Sequence, residues 1–176
     1  MKYLITIAIL IVIAMNFFGF RGDATALSQA SAETARLMET ELAASKHIDS
    51  IVLGAGCFWG AEKRYAAIPG VVDAISGYAG GKGVRPVYNE IIQYSNKHNP
   101  DNHAEVVQVI YNKSIVSLET ILKNYFEGHD PTQLNRQGND VGTQYRSIIL
   151  TNSDEQMAVA HRVTEEFQSL LSTAGY

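Results

Sequence analysis

A chain of 176 residues has room for one ordinary domain plus an appendage. At 46% hydrophobic and 18% charged, with only 4 Pro, it is too apolar for a disordered chain. A net charge of −4 with no basic run argues against a nucleic-acid binder, and a single cysteine rules out an internal disulfide or a Cys-rich zinc framework.

In chain order, Lys2 precedes an apolar stretch from Tyr3 to about Phe20, followed by the small-x-small pattern Ala24-Thr25-Ala26. This reads as a secretory signal peptide over 1–26, with an uncleaved membrane anchor as the alternative. Either way the expected location is exported, periplasmic or secreted. Cleavage would remove Lys2, Arg21 and Asp23 and take the net charge from −4 to −5. Residues 27–47 are rich in Ala, Ser, Thr and Glu, with a partial helical stripe at Leu37, Met38, Glu41 and Leu42. They read as a tether or a loosely docked helix.

The domain is expected over 48–176. Ile51 to Leu53 is a short apolar strand ending in glycines. Phe58, Ala61, Glu62, Tyr65 and Ala66 have helical spacing, stopped by Pro69-Gly70. Val71 to Tyr78 is strand-like, and a loop of about 20 residues follows over 82–102. Ala104 to Tyr111 is the clearest strand, with Glu105, Val107, Val109 and Tyr111 on one face. Leu118, Ile121, Leu122, Tyr125 and Phe126 mark an amphipathic helix capped near Ser117. Residues 127–145 read as a polar loop, Ile148 to Leu150 as a strand, and Ser153-x-x-Gln156 as the capping box of a last helix. The order β-α-β, long loop, β-α-β-α predicts an α/β (α+β) fold: a ferredoxin-like plait, its mixed sheet covered by helices. A doubly wound parallel sheet is the alternative.

Cys57 lies in GAGCFWG (54–60), where a strand ends and a helix starts. Backbone N–H groups and the helix dipole favour an anion at such a place, which suits a nucleophilic thiolate. An inert buried cysteine is the competing reading. Phe58 and Trp59, facing directions about 100° apart on a helix, could both be core or could wall a small apolar pocket. Glu105 opens an apolar strand, where desolvation would make it a proton donor; an edge position facing water is the alternative. GNDVGTQYR (138–146) gathers Asp140, Tyr145 and Arg146 around two glycines, like a binding loop. His98, His103 and His129 do not make a convincing metal set, and no bound metal is expected. Two other readings stay open: a Cys-His hydrolase with His103 or His129 as base, and an exported binding module in which Cys57 merely packs.

Several separated motifs resemble the A-type peptide methionine sulfoxide reductases. They are GCFWG (56–60), PGV (69–71), SGYAGG (76–81), P-x-Y (86–88), HAE (103–105), HDP (129–131) and RQGND-x-GTQYR (136–146). The resemblance implies a ferredoxin-like core and reduction of methionine-S-sulfoxide, free or in protein, as a repair of oxidised proteins. It implies that Cys57 attacks the sulfoxide sulfur and that Glu105 protonates the oxygen. Tyr88 and Tyr145 would bind that oxygen, Asp140 would support the site, and Phe58 and Trp59 would receive the methyl group. It implies no bound cofactor, a cysteine sulfenic acid intermediate, an external thioredoxin-like or dithiol reductant, and a monomer. Many members of the family carry further cysteines in a C-terminal tail. Here Tyr176 follows the last helix directly, so either a tail is expected beyond it or an external thiol must serve.

Overall fold

The computed structural model describes residues 24–82 and 86–175, with side chains of the first helix from residue 32 onward. Of the segment read as a signal peptide (1–26), residues 1–23 with the apolar stretch lie outside the described residues, and Ala24-Thr25-Ala26 open the first helix. No helix among the described residues is long and apolar enough to cross a membrane. The chain divides after Lys46. The described residues before the division form the helix α1 (Ala24–Ser45), whose Leu37, Met38 and Leu42 are exposed.

After it come β1 (Ile48–Gly54), α2 (Phe58–Ala66), β2 (Val71–Ala79), α3 (Tyr88–Ile91), β3 (Ala104–Asn112) and α4 (Leu118–Glu127). They are followed by β4 (Arg136–Gln137), β5 (Asp140–Val141), β6 (Ile148–Leu150) and α5 (Asp154–Thr173). Strands β2-β3-β1-β6 form one sheet in which every neighbouring pair is antiparallel, so the expected plait is present with an antiparallel rather than a mixed sheet. The two strands of each β-α-β unit run parallel but are separated by a strand of the other unit. This interleaving is the α/β plait, and the doubly wound alternative falls.

Side chains alternate across a strand, so every second residue faces the core. Ile51 and Leu53 of β1 meet Val107, Val109 and Tyr111 of β3 beneath Tyr65 of α2, Ile121, Leu122, Tyr125 and Phe126 of α4, and Ala160 and Val163 of α5. β1 starts three residues earlier than Ile51. Asp49 and Ser50 break the apolar pattern because their polar groups are used: Asp49 accepts from the Tyr111 hydroxyl at 3.3 Å and from Gln156 Nε2 at 3.1 Å.

Both helix starts read from sequence carry their caps. Ser117 Oγ accepts from the Thr120 N–H at 3.1 Å, and Ser153 Oγ from the Gln156 N–H at 3.2 Å. The return bond of the second box goes one residue further back than usual, from the Asn152 N–H to Gln156 Oε1 at 3.1 Å. Gln156 Nε2 also donates to the Ser50 carbonyl at 3.0 Å, fastening α5 to β1.

Candidate active site around Cys57

Two glycines bring the chain round from β1 to α2. A Cβ at Gly54 would lie 2.7 Å from Ile148 Cγ2 and 3.0 Å from the Glu105 carbonyl oxygen, so only glycine lets β1 pass this close to its neighbours. Gly56 has φ +92°, and a Cβ there would also meet Gln137 at 2.7 Å. Cys57 follows as the N-cap residue of α2, and its side chain caps nothing. The thiol is left for other chemistry.

Glu105 continues the core-facing row of Val107, Val109 and Tyr111 and is 3% exposed, so the water-facing alternative falls. Its Oε2 accepts from the Phe58 N–H at 3.2 Å, which ties the carboxyl to the residue after the thiol. Burial raises its pKa above the ordinary carboxylate value; the Phe58 N–H opposes this, and the charge of Asp140 adds to it. Such a group keeps its proton longer than a surface glutamate.

Tyr78 stands opposite Glu105 in the β2–β3 ladder, and its ring packs on Phe58 with centroids 5.4 Å apart. Burial first, then the neighbouring Glu105, Tyr88, Tyr145 and Cys57, push its hydroxyl up to about 12, so it stays a donor. Tyr145, in a short 3-10 turn (Thr143–Tyr145), is raised by burial and then by Glu105, Asp140 and Cys57. Cys57, Glu105, Asp140, Tyr145 and, 55% exposed at the start of α3, Tyr88 therefore share one electrostatic neighbourhood with Tyr78.

The two adjacent aromatics part company. Phe58 packs inward against Tyr78, whereas Trp59 is 78% exposed and borders a surface hollow with Lys63, Val72 and Ala74. One step of helix rotation separates them. On another side of Cys57 is a cavity of about 270 Å³, bordered by Gly60, Ala61, Arg64, Gln137 and Asp140. A larger cavity, about 480 Å³, lies between α4, β6 and α5; no thiol, carboxyl or imidazole lines it.

The loops are held by bonds that periodicity does not show. Arg146 Nη1 donates to the carbonyls of Asn102 (3.0 Å) and Thr143 (2.7 Å), and Nη2 to Gly80 (2.9 Å). Thr143 joins the stretch 95–102, its N–H reaching the Lys97 carbonyl at 2.9 Å and its hydroxyl the Asn96 carbonyl at 3.0 Å. Residues 136–141, read as loop, pair as a hairpin with Gly138 at φ +59° in its turn. The Gln-Gly-Asn-Asp stretch was a usable hairpin signal. Tyr78, Arg64 and Gln137 were missed, since only strand register and the chain's return at 137 bring them to Cys57.

Neither histidine serves Cys57 as a base. His129 Nδ1 is 2.7 Å from the Tyr125 carbonyl and so donates, leaving Nε2 to accept from the Ser147 hydroxyl at 2.9 Å. Burial lowers its pKa, which keeps the ring neutral. No hydrogen bond joins Cys57 to any histidine among the described residues, and none of their acidic, His and Cys groups forms a cluster able to hold a metal ion.

The family model for peptide methionine sulfoxide reductase matches residues 49–173. A Corynebacterium kroppenstedtii protein named peptide methionine sulfoxide reductase MsrA is 47% identical over 127 residues, 72% of this chain and 56% of that protein. The Xylella fastidiosa (strain M12) protein of the same name is 47% identical over 126 residues, with the same shares. The chain thus spans about half the length of the curated relatives it matches. Among solved structures, methionine sulfoxide reductase A of Corynebacterium diphtheriae superposes with a TM-score of 0.66 at 38% identity, covering 73% of this chain and 60% of that one. Reduced Mxr1 of Saccharomyces cerevisiae gives 0.62 at 35%, covering 70% of each. With its motifs in order, its plait and its thiol beside a buried acid, the chain belongs to the peptide methionine sulfoxide reductase family.

Proposed function

We propose that the chain reduces methionine-S-sulfoxide, in oxidised proteins or free, to methionine with two thiol equivalents as the reductant. The observation that carries this reading is the buried Glu105 carboxyl bonded to the backbone of the residue after Cys57. Cys57 Sγ attacks the sulfoxide sulfur while Glu105 gives its proton to the departing oxygen. Tyr88 and Tyr145 donate to that oxygen, with Tyr78 beside them, and Asp140 helps to keep Glu105 protonated. Phe58 offers the methyl group an apolar, polarizable surface, while the exposed Trp59 has no part in it in this arrangement. The hydroxyl then passes to Cys57 Sγ as the S–S bond formed in the attack breaks, so methionine leaves with its sulfur reduced and Cys57 is left oxidised as a sulfenic acid. Two equivalents of an external thiol then restore Cys57 and release water. Another Mxr1 structure, in complex with Trx2, supports a thioredoxin-type reductant here (TM-score 0.50, 27% identity). Lys2 and the apolar stretch after it support an exported location.

The decisive experiment omits reductant. One equivalent of methionine should form per chain, with a dimedone-reactive sulfenic acid at Cys57, and Cys57→Ser should abolish both. Absence of the adduct in the active protein would sink the proposal.

A further inference from the structure

Cys57 borders two environments that share little. The sulfoxide end of the site is built by Phe58, Tyr78, Glu105 and Tyr145, and none of these lines the 270 Å³ cavity on which Cys57, Gly60, Arg64 and Asp140 open. On the functional reading above, on which this inference rests, the first half-reaction leaves a hydroxyl on Cys57 Sγ near Glu105. A thiolate that displaces it must approach the sulfur away from that oxygen. We propose that this cavity is the entry site for the reducing thiol, and that Arg64 draws its thiolate in.

The walls fit the task. Gly60 and Ala61 keep the approach open, and a Cβ added at Gly60 would meet nothing within 4 Å. The Arg64 guanidinium makes no ion pair or side-chain hydrogen bond among the described residues, and a Cβ at Gly128 would collide with it, so the glycine leaves it room. Arg64 is the one cation lining this cavity among the described residues, with Asp140 the opposing carboxylate. Burial pushes the hydroxyls of Tyr65 and Tyr125, which also line it, far up, so both stay neutral. The cavity wall is thus mixed, apolar at Ala55, Ala61 and the two tyrosine rings and positive at Arg64. In the step itself the thiolate sulfur bonds to Cys57 Sγ, the S–O bond breaks, and hydroxide leaves and takes a proton from solvent. The entering sulfur is oxidised to the disulfide level as the sulfenic sulfur is reduced. A second thiol exchanges with the mixed disulfide and frees Cys57.

The test forms the sulfenic acid with one equivalent of hydrogen peroxide, so that it does not depend on sulfoxide reduction. The full chain is then mixed with mercaptopropionate, mercaptoethanol or cysteamine, and rates are compared per thiolate. The wild type should favour the anionic thiol, and Arg64→Gln should lower the anionic-to-cationic rate ratio by about tenfold, the effect of one charge a few ångströms away in partly solvated protein. Arg64→Lys should keep most of the preference, and Gly60→Leu should slow all three thiols. An unchanged ratio in Arg64→Gln, or unaltered rates in Gly60→Leu, would overturn the entry site. A chain with this selectivity that reduces no methyl sulfoxide would instead overturn the proposed activity and leave the entry site standing.

Discussion

The Phe58 N–H donates to Glu105 Oε2 at 3.2 Å, so the first backbone donor of the helix that begins beside the thiol is spent on a buried acid of the central strand. The bond fixes the carboxyl near Cys57 and lowers its pKa, while burial, the larger effect, raises it. Because the net shift is upward, the folded chain holds this proton over a pH window in which the unfolded chain has lost it. Protonated Glu105 is present below its folded pKa and is lost as pH rises through it. The single-turnover rate should therefore fall with rising pH, and Glu105→Gln should reduce it by about 100-fold and flatten that limb. In urea titrations the same substitution should remove a stability contribution that weakens as pH rises from the ordinary carboxylate value through the raised one. A rate unchanged in Glu105→Gln would remove its role as acid.

Tyr78 touches the site through its ring. Tyr78→Phe keeps the 5.4 Å packing on Phe58 and should leave methyl sulfoxide reduction close to wild type. Tyr78→Ala should raise KM about fivefold, equivalent to the roughly 1 kcal/mol an aromatic pair supplies, and weaken the preference for methyl over larger alkyl sulfoxides. Steady-state kinetics with a methyl and an ethyl substrate measure both effects.

Gly56→Ala combines a left-handed backbone with a 2.7 Å approach to Gln137. It should cost about 2 kcal/mol, read as a lower urea midpoint at unchanged slope. Displacement of Cys57 should also slow its alkylation by iodoacetamide.

Two arginines offer a contrast in burial. Arg146 donates to three backbone carbonyls from three segments, and Arg146→Met should destabilise the domain by about 2 kcal/mol. Arg162 sits on the surface between Glu119 and Glu166, where screening and side-chain entropy cancel most of the attraction. Arg162→Met should leave the thermal midpoint within error. A pair of scanning calorimetry traces decides the comparison.

The four sheet strands and the helices that cover them were legible because each buries one face, and burial writes a period of 2.0 or 3.6 into the residues. Tyr65, Ile121, Val107 and Val163 declare themselves in this way. The short elements α3, β4 and β5 have no such signature. Besides their own turn and hairpin bonds they are fastened by side chains reaching backbone across loops, as Asn102 Nδ2 reaches the Ile91 carbonyl at 3.0 Å and Gln137 Nε2 the Asp130 carbonyl at 3.1 Å. The site divides along the same line. Cys57 and Glu105 stand out from their local context, one by its glycines and the other by its apolar strand. Tyr78 becomes visible only once the register sets it across from Glu105, and Arg64 once the chain has folded back to place Gln137 and Asp140 opposite α2.

The strand that delivers Cys57 is central in the sheet, yet its partners come late in the chain. Gly54 pairs with Ile148 on one side, and Leu53 with Val107 on the other. At ordinary rates of synthesis, on the order of ten seconds pass between the making of residue 54 and residue 148. Throughout that interval the thiol is an ordinary cysteine on an unfinished chain. The walls that set its surroundings, Gln137, Asp140 and Tyr145 among them, are made only just before the last strand.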